Sequence, residues 1–159
     1  EPLFRARNAP STRLIKAACL LHDVSWRAHP DYRHAVCFNE VTRANLGGMT
    51  HEERIFLGVA LLHRYKNNRS GSPFEALYEL VDEDVLRKAE ILGKALRFGA
   101  MLTASEGQNM GKLKYYPKKS LLELRLADGT RGLFGEVAES RLQTMAHALG
   151  DVEVVVKGR

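Results

Sequence analysis

The chain has 159 residues, of which 45% are hydrophobic and 27% charged; this excludes a mainly disordered chain and allows a buried core in one domain or two small ones. Its longest apolar runs, such as residues 55–62, fall far short of the roughly 20 residues that a membrane-spanning helix needs, and residues 1–20 lack the layout of a secretory signal, so a soluble, cytoplasmic protein is expected. The 24 Lys and Arg outnumber the 19 Asp and Glu for a formal net charge of +5, which favours a polyanionic partner without naming one.

Residues 1–10, EPLFRARNAP, hold two prolines and read as a connector, as if cut from a longer chain. Ser11 is a candidate N-cap. Leu14, Ile15, Ala17, Ala18, Leu21 and Val24 then recur at helical spacing, which predicts a first helix over 12–24 with His22-Asp23 in its last turn. After Pro30, residues 34–46 read as a second helix with Ala35, Phe38, Val41 and Leu46 on one side and Gly47-Gly48 as its stop. Thr50 and Glu53 have the spacing of a capping box. The third helix that they open runs to residue 65 and is apolar on nearly all sides, as expected of a helix buried among others. Ser72-Pro73 marks the start of a short helix to residue 80, and Val85, Ala89, Leu92, Leu96 and Gly99 stripe a fifth over 84–103. Cys19 and Cys37 lie within apolar helical patterns and are expected as buried free thiols of a reducing compartment.

The pattern changes at Glu106. Residues 112–116 alternate loosely, and Leu122, Leu124 and Leu126 alternate with Glu123 and Arg125 as in a half-buried strand. Asp128-Gly129 is a hairpin-type turn signal, a helix is expected over 135–149, and a last strand over 152–156. The fold class is therefore mainly α: a helical domain over 11–105, followed by a small α+β appendage of ββαβ order over 106–159.

The chemically densest stretch is AACLLHDVSWRAHPDYRH, residues 17–34. His22-Asp23 resembles the dipeptide of the HD phosphohydrolases, in which imidazole and carboxylate ligands from different helices hold a divalent ion that activates water against a phosphoester. That family's full set includes a further upstream His and a late Asp. Residues 1–21 contain no His, and Ala100 stands where the late Asp would fall. His29, His34 or His63 could substitute, although their spacing does not demand it. His22 and Asp23 are thus either a degenerate metal pair or a scaffold that hydrogen-bonds neighbouring backbone.

A second constellation holds Arg27, His29, Arg33 and His34, together with His63, Arg64, Lys66 and Arg69 after the third helix. Packing of the first helix against the third would gather them into a cationic surface for phosphate oxygens; left apart, they are solvated helix-end charges. Lys112, Lys114, Lys118 and Lys119, interleaved with Tyr115 and Tyr116, fit either a nucleic-acid surface or a lysine-protected strand edge, with the edge favoured. Glu136 and Glu139 read as first-turn helix charges, and His51 as an exposed first-turn residue. No phosphate-cradling glycine loop, nucleophile elbow or Cys-rich zinc pattern is present.

Taken in order, LLHDVSW, AHPDYRH, HEERIFLGVALLHRYKN, LRKAEILGKALRFGAML, LLELRLADG and GEVAESRLQTMAHALG resemble the C-terminal part of the exopolyphosphatase and guanosine pentaphosphate phosphatase family, from about residue 13 to 156. The resemblance implies an HD-like helical domain. It also implies that phosphoanhydride hydrolysis with Mg²⁺ belongs to N-terminal actin-like domains outside these residues. This piece would then bind inorganic polyphosphate through Arg27, His29, Arg33, His34, His63, Arg64 and Lys66 and support a homodimer, with no catalytic residue or cofactor of its own. The alternative is an autonomous HD-type metal-dependent phosphohydrolase acting on a nucleotide or alarmone.

Overall fold

The computed structural model describes residues 3–4, 10–102 and 110–158. Most of the connector expected over 1–10 lies outside the described residues, as do the end of the fifth helix at 103 and the expected domain boundary at 105/106. The fold is mainly helical with one three-stranded sheet. It divides into two compact units, one being Pro10–Leu96 and the other containing the described part of Arg97–Arg159.

The first unit is helical. α1 spans Thr12–Leu21, opened by Ser11, whose hydroxyl accepts from the Leu14 N–H at 3.3 Å. It stops earlier than the apolar spacing predicts. His22 is its C-cap and Val24 is exposed, so His22-Asp23 sits in the turns after the helix. Cys19 is also exposed rather than buried, because the face that α1 turns inward carries Leu14 and Ala18. Cys37 is buried, and burial pushes its thiol up to about 12.

α2 spans Arg33–Arg43 and ends before Gly47-Gly48, since Ala44 is already extended at ψ 145. Its C-terminal carbonyls find a partner in the next helix: Arg54 donates to the carbonyls of Ala44 and, at 2.8 Å, Leu46. α3, His51–Tyr65, carries the predicted capping box, with the Thr50 N–H donating to Glu53 Oε2 at 3.0 Å and the Glu53 N–H to Thr50 Oγ1 at 3.2 Å. Residues 55–63 of α3 are all buried, which makes it the centre of the unit, packed against α1 and α2. The helix expected up to residue 80 shrinks to α4, Glu75–Tyr78, because Ser72 spends its hydroxyl accepting from the Phe74 N–H in a turn and bonding Tyr78 Oη at 3.0 Å. Phe74 stacks on Phe38 with ring centroids 4.1 Å apart. α5 spans Glu83–Leu102. Gly93 lets it approach α3 closely: a Cβ there would lie 2.2 Å from the Ala60 carbonyl oxygen.

The second unit has the expected ββαβ order. β1, Gly111–Tyr116, pairs antiparallel with β2, Leu121–Leu126, in the register Leu113↔Leu124. α6, Glu136–Ala148, crosses over to β3, Glu153–Lys157, which pairs parallel with β2 in the register Leu122↔Val154. The β1–β2 hairpin turns through a 3-10 turn at Pro117–Lys119 and through Ser120, which is left-handed at φ 44. Asp128-Gly129 instead leads from β2 towards α6. β2 is the central strand, and this changes the alternation: Glu123 is only 4% exposed, although its position in the pattern predicted a solvated face. Arg125 and Lys157 cover it, at 2.7 and 2.6 Å, and hold its carboxyl below the usual range, Lys157 first.

Candidate functional site

The start of α2 and the end of α3 lie side by side, because the two helices run antiparallel, and each carries part of the cationic constellation. Between α1 and α2 the chain makes consecutive tight turns, with Val24, Trp26 and Ala28 each donating backward to a carbonyl three residues earlier. Ser25 is buried inside this segment, and its hydroxyl donates to the Arg33 carbonyl at 3.1 Å. Arg33 braces the segment from the other side, donating from Nε to the Ala28 carbonyl at 3.0 Å and from Nη2 to the Trp26 carbonyl at 2.8 Å. Two of its five donors are thus spent on the loop's own backbone.

The bracing presents outward what the loop does not use. Arg27 is exposed, its guanidinium carbon 5.0 Å from the centre of the Trp26 ring, and Trp26 is itself 55% exposed. His29 is exposed beside Asp31 and Tyr32, with Nδ1 3.6 Å from the Asp31 carboxylate. His34, in the first turn of α2, is half-buried, and burial together with the Lys66 ammonium lowers its pKa. Arg64 lies over the Tyr65 ring at 5.0 Å.

His22-Asp23 supports this segment. His22 Nδ1 bonds the Cys19 carbonyl at 2.8 Å, and the Tyr65 hydroxyl donates to both the His22 carbonyl and Asp23 Oδ1, each at 3.0 Å. Among the described residues no group of three or more His, Cys, Asp and Glu side chains is placed to hold a metal ion. The fold thus gives the pair hydrogen-bonding work between α1 and α3.

His63 does not join the outward surface. It is 1% exposed, and neither ring nitrogen has a hydrogen-bond partner among the described residues. Burial drives its pKa down to about 4, with the Glu90 carboxylate opposing and Lys94 and Arg69 reinforcing. Arg69 is likewise turned inward, bonding Glu90 at 3.1 Å and Glu83 at 2.6 Å. Lys94, only 4% exposed, completes the group at 2.6 Å from Glu90. Sequence reasoning missed Glu90 and Lys94; the available signal was their i,i+4 spacing, with Lys94 falling between the apolar Leu92 and Leu96.

The lysines of the second unit take strand-edge positions. β1 lies at one edge of the sheet, with Lys112 and Lys114 exposed and Tyr115 and Tyr116 half-buried; Lys118 and Lys119 are exposed in the following turn. Glu136 and Glu139 are exposed in the first turn of α6, and His51 is exposed as the first residue of α3. No helix among the described residues is long and apolar enough to cross a membrane.

A family model described as Exopolyphosphatase, C-terminal, matches residues 6–156. No curated protein matches the chain. With a helical unit followed by a ββαβ unit inside the matched span, the chain belongs to the exopolyphosphatase C-terminal domain family.

Proposed function

We propose that this chain is the accessory part of an exopolyphosphatase-type phosphoanhydride hydrolase of the cytoplasm, binding inorganic polyphosphate and supporting a homodimer. Hydrolysis with Mg²⁺ belongs, in this reading, to actin-like catalytic domains outside these residues. The helical unit is HD-like, with His22 and Asp23 retained as scaffold. Arg27, His29, His34, Arg64 and Lys66 contact the phosphate chain, while Arg33 holds the loop and His63 lies behind it. What supports the reading is that α2 and α3 run antiparallel, which puts the start of α2, with His34, beside the end of α3, with Arg64 and Lys66, in a chain matched over residues 6–156 as an exopolyphosphatase C-terminal domain; cations at neighbouring helix ends suit a polyanion. The exposed Trp26, against which Arg27 lies, and the exposed Leu20 of α1 supply apolar surface for association.

The test is titration of this chain with inorganic polyphosphate at rising salt. Binding that weakens steeply with salt, and weakens further in Arg27→Glu and Lys66→Glu, is expected. Binding that ignores both salt and these substitutions would refute the contact set.

A further inference from the structure

The opposite ends of α2 and α3 enclose a second feature that the polyphosphate reading does not use. The two helices run with the C-terminus of α2 beside the N-terminus of α3, as the Arg54 bonds to Ala44 and Leu46 require. There, with residues 73–80, they line a cleft of about 600 Å³. That volume is in the range of small-molecule sites, and the lining has their composition, mostly apolar with a few polar groups converging. Arg43 lies nine residues along α2 from His34, about 14 Å at the rise of an α-helix, so the cleft is separate from the cationic surface above.

Its lining is one-sided in charge. Arg43, His51 and Arg54 contribute the charged or chargeable groups, and none of the lining side chains is acidic. The Arg54 guanidinium is held in place by the two carbonyls it caps, which uses two of its five donors and fixes the others before any ligand arrives. Arg43 has no side-chain hydrogen bond or ion pair among the described residues. The remaining wall is apolar: Ile55 and Phe74 are buried, Phe74 is fixed by its stack on Phe38, and Leu80 stands 69% exposed at the rim. An apolar body would cover the Ile55–Phe74–Leu80 side while its head met the arginines. A simple inorganic anion would leave that side wet, and a neutral apolar molecule would leave the arginines unpaired.

We infer that this cleft binds a small organic anion, an apolar body of one or two rings or a short alkyl chain bearing a phosphate or carboxylate head that Arg43 and Arg54 hold. The probes are 1-naphthyl phosphate and octanoate, with inorganic phosphate and 1-naphthol as the half-ligands, titrated into the whole chain and followed by amide chemical shifts. Both complete probes are expected to shift residues 39–43, 51–55 and 73–80 and to compete with each other. Whichever binds more tightly identifies the head group. Arg43→Glu should weaken binding by about tenfold or more, the scale of a lost charge-assisted hydrogen bond, and Leu80→Ser by a smaller factor. Both positions are exposed, so both variants should fold. Binding of 1-naphthol as tight as that of 1-naphthyl phosphate, shifts confined to other residues, or no effect of Arg43→Glu would each overturn the assignment.

Discussion

The Tyr65 hydroxyl, at the last residue of α3, lies 3.0 Å from Asp23 Oδ1 and 3.0 Å from the His22 carbonyl, so one phenol joins the end of α3 to the segment that follows α1. Removing it tests whether His22-Asp23 works as scaffold. Tyr65→Phe should lower unfolding free energy by about 1 kcal/mol, the net worth of one such hydrogen bond. Asp23→Asn keeps an acceptor oxygen and should cost less. Urea unfolding of both variants separates the outcomes: a large loss in Asp23→Asn beside an unchanged Tyr65→Phe would mean that the carboxylate charge matters and the hydrogen bond does not.

His63 gives the helical unit a pH dependence whose sign follows from its burial. Its folded pKa, about 4, is below the value of 6.5 for a solvated imidazole, because its surroundings disfavour the charged form. Between those values the unfolded chain binds the extra proton. The stabilising contribution is therefore complete above about pH 6.5 and lost as pH falls towards 4, amounting to about 3 kcal/mol in all. Of the charged side chains that face the same site, Glu90 pulls the other way, while Lys94 and Arg69 reinforce the shift. Urea unfolding at pH 7.5 and 5 should show the loss, and His63→Leu, which also removes two unpartnered ring nitrogens, should flatten it. An unchanged slope in His63→Leu would assign the dependence to other groups.

The parts of the fold that were legible in the sequence are those governed by local chemistry. The Thr50–Glu53 box placed the start of α3, and an acidic first turn with a sustained apolar stripe placed the start of α5 within a residue. What misled was tertiary. α2 stops at Arg43 because Arg54, eleven residues on, takes the carbonyls that follow, so the glycines are not needed as the stop. Glu123 reads as solvated by period-2 alternation, yet it is central in the sheet and covered by Lys157 from a strand 34 residues away. For the site, the sequence shows which cations stand at the start of α2 and the end of α3, His34 and Lys66 among them. It had no way to see that His63 and Arg69 turn inward, because the groups they face, Glu90 and Lys94 for His63 and Glu83 and Glu90 for Arg69, come from α5, more than a dozen residues further along the chain.

The approach of α5 to α3 rests on a single missing side chain. A Cβ at Gly93 would lie 2.2 Å from the Ala60 carbonyl oxygen and 2.5 Å from His63 Cβ, and backbone oxygen in a buried helix has little room to give. Gly93→Ala should therefore destabilise by about 1–3 kcal/mol even though alanine favours helix. Gly99, in the same helix, has nothing among the described residues within 4 Å of such a Cβ, so Gly99→Ala should stabilise by about 0.5–1 kcal/mol. Thermal unfolding of the pair checks the argument by sign: a stabilised Gly93→Ala would show that the two helices can separate without cost.

Glu123 holds the parallel edge of the sheet through Lys157. Their 2.6 Å contact crosses from β2 to β3, and the Arg125 bond at 2.7 Å stays within β2, so only the first ties the strands. Lys157→Met should speed amide exchange in β3 more than in β1, whereas Glu123→Gln should also release Arg125. A double-mutant cycle between Glu123→Gln and Lys157→Met isolates the cross-strand part. Because the two cations depress the Glu123 carboxyl, the coupling should be complete above the ordinary carboxylate range and disappear as pH falls through the folded-state value. A coupling that is zero at neutral pH, or that grows on acidification, would mean that the pair is a solvated contact and that backbone pairing alone holds β3 to β2.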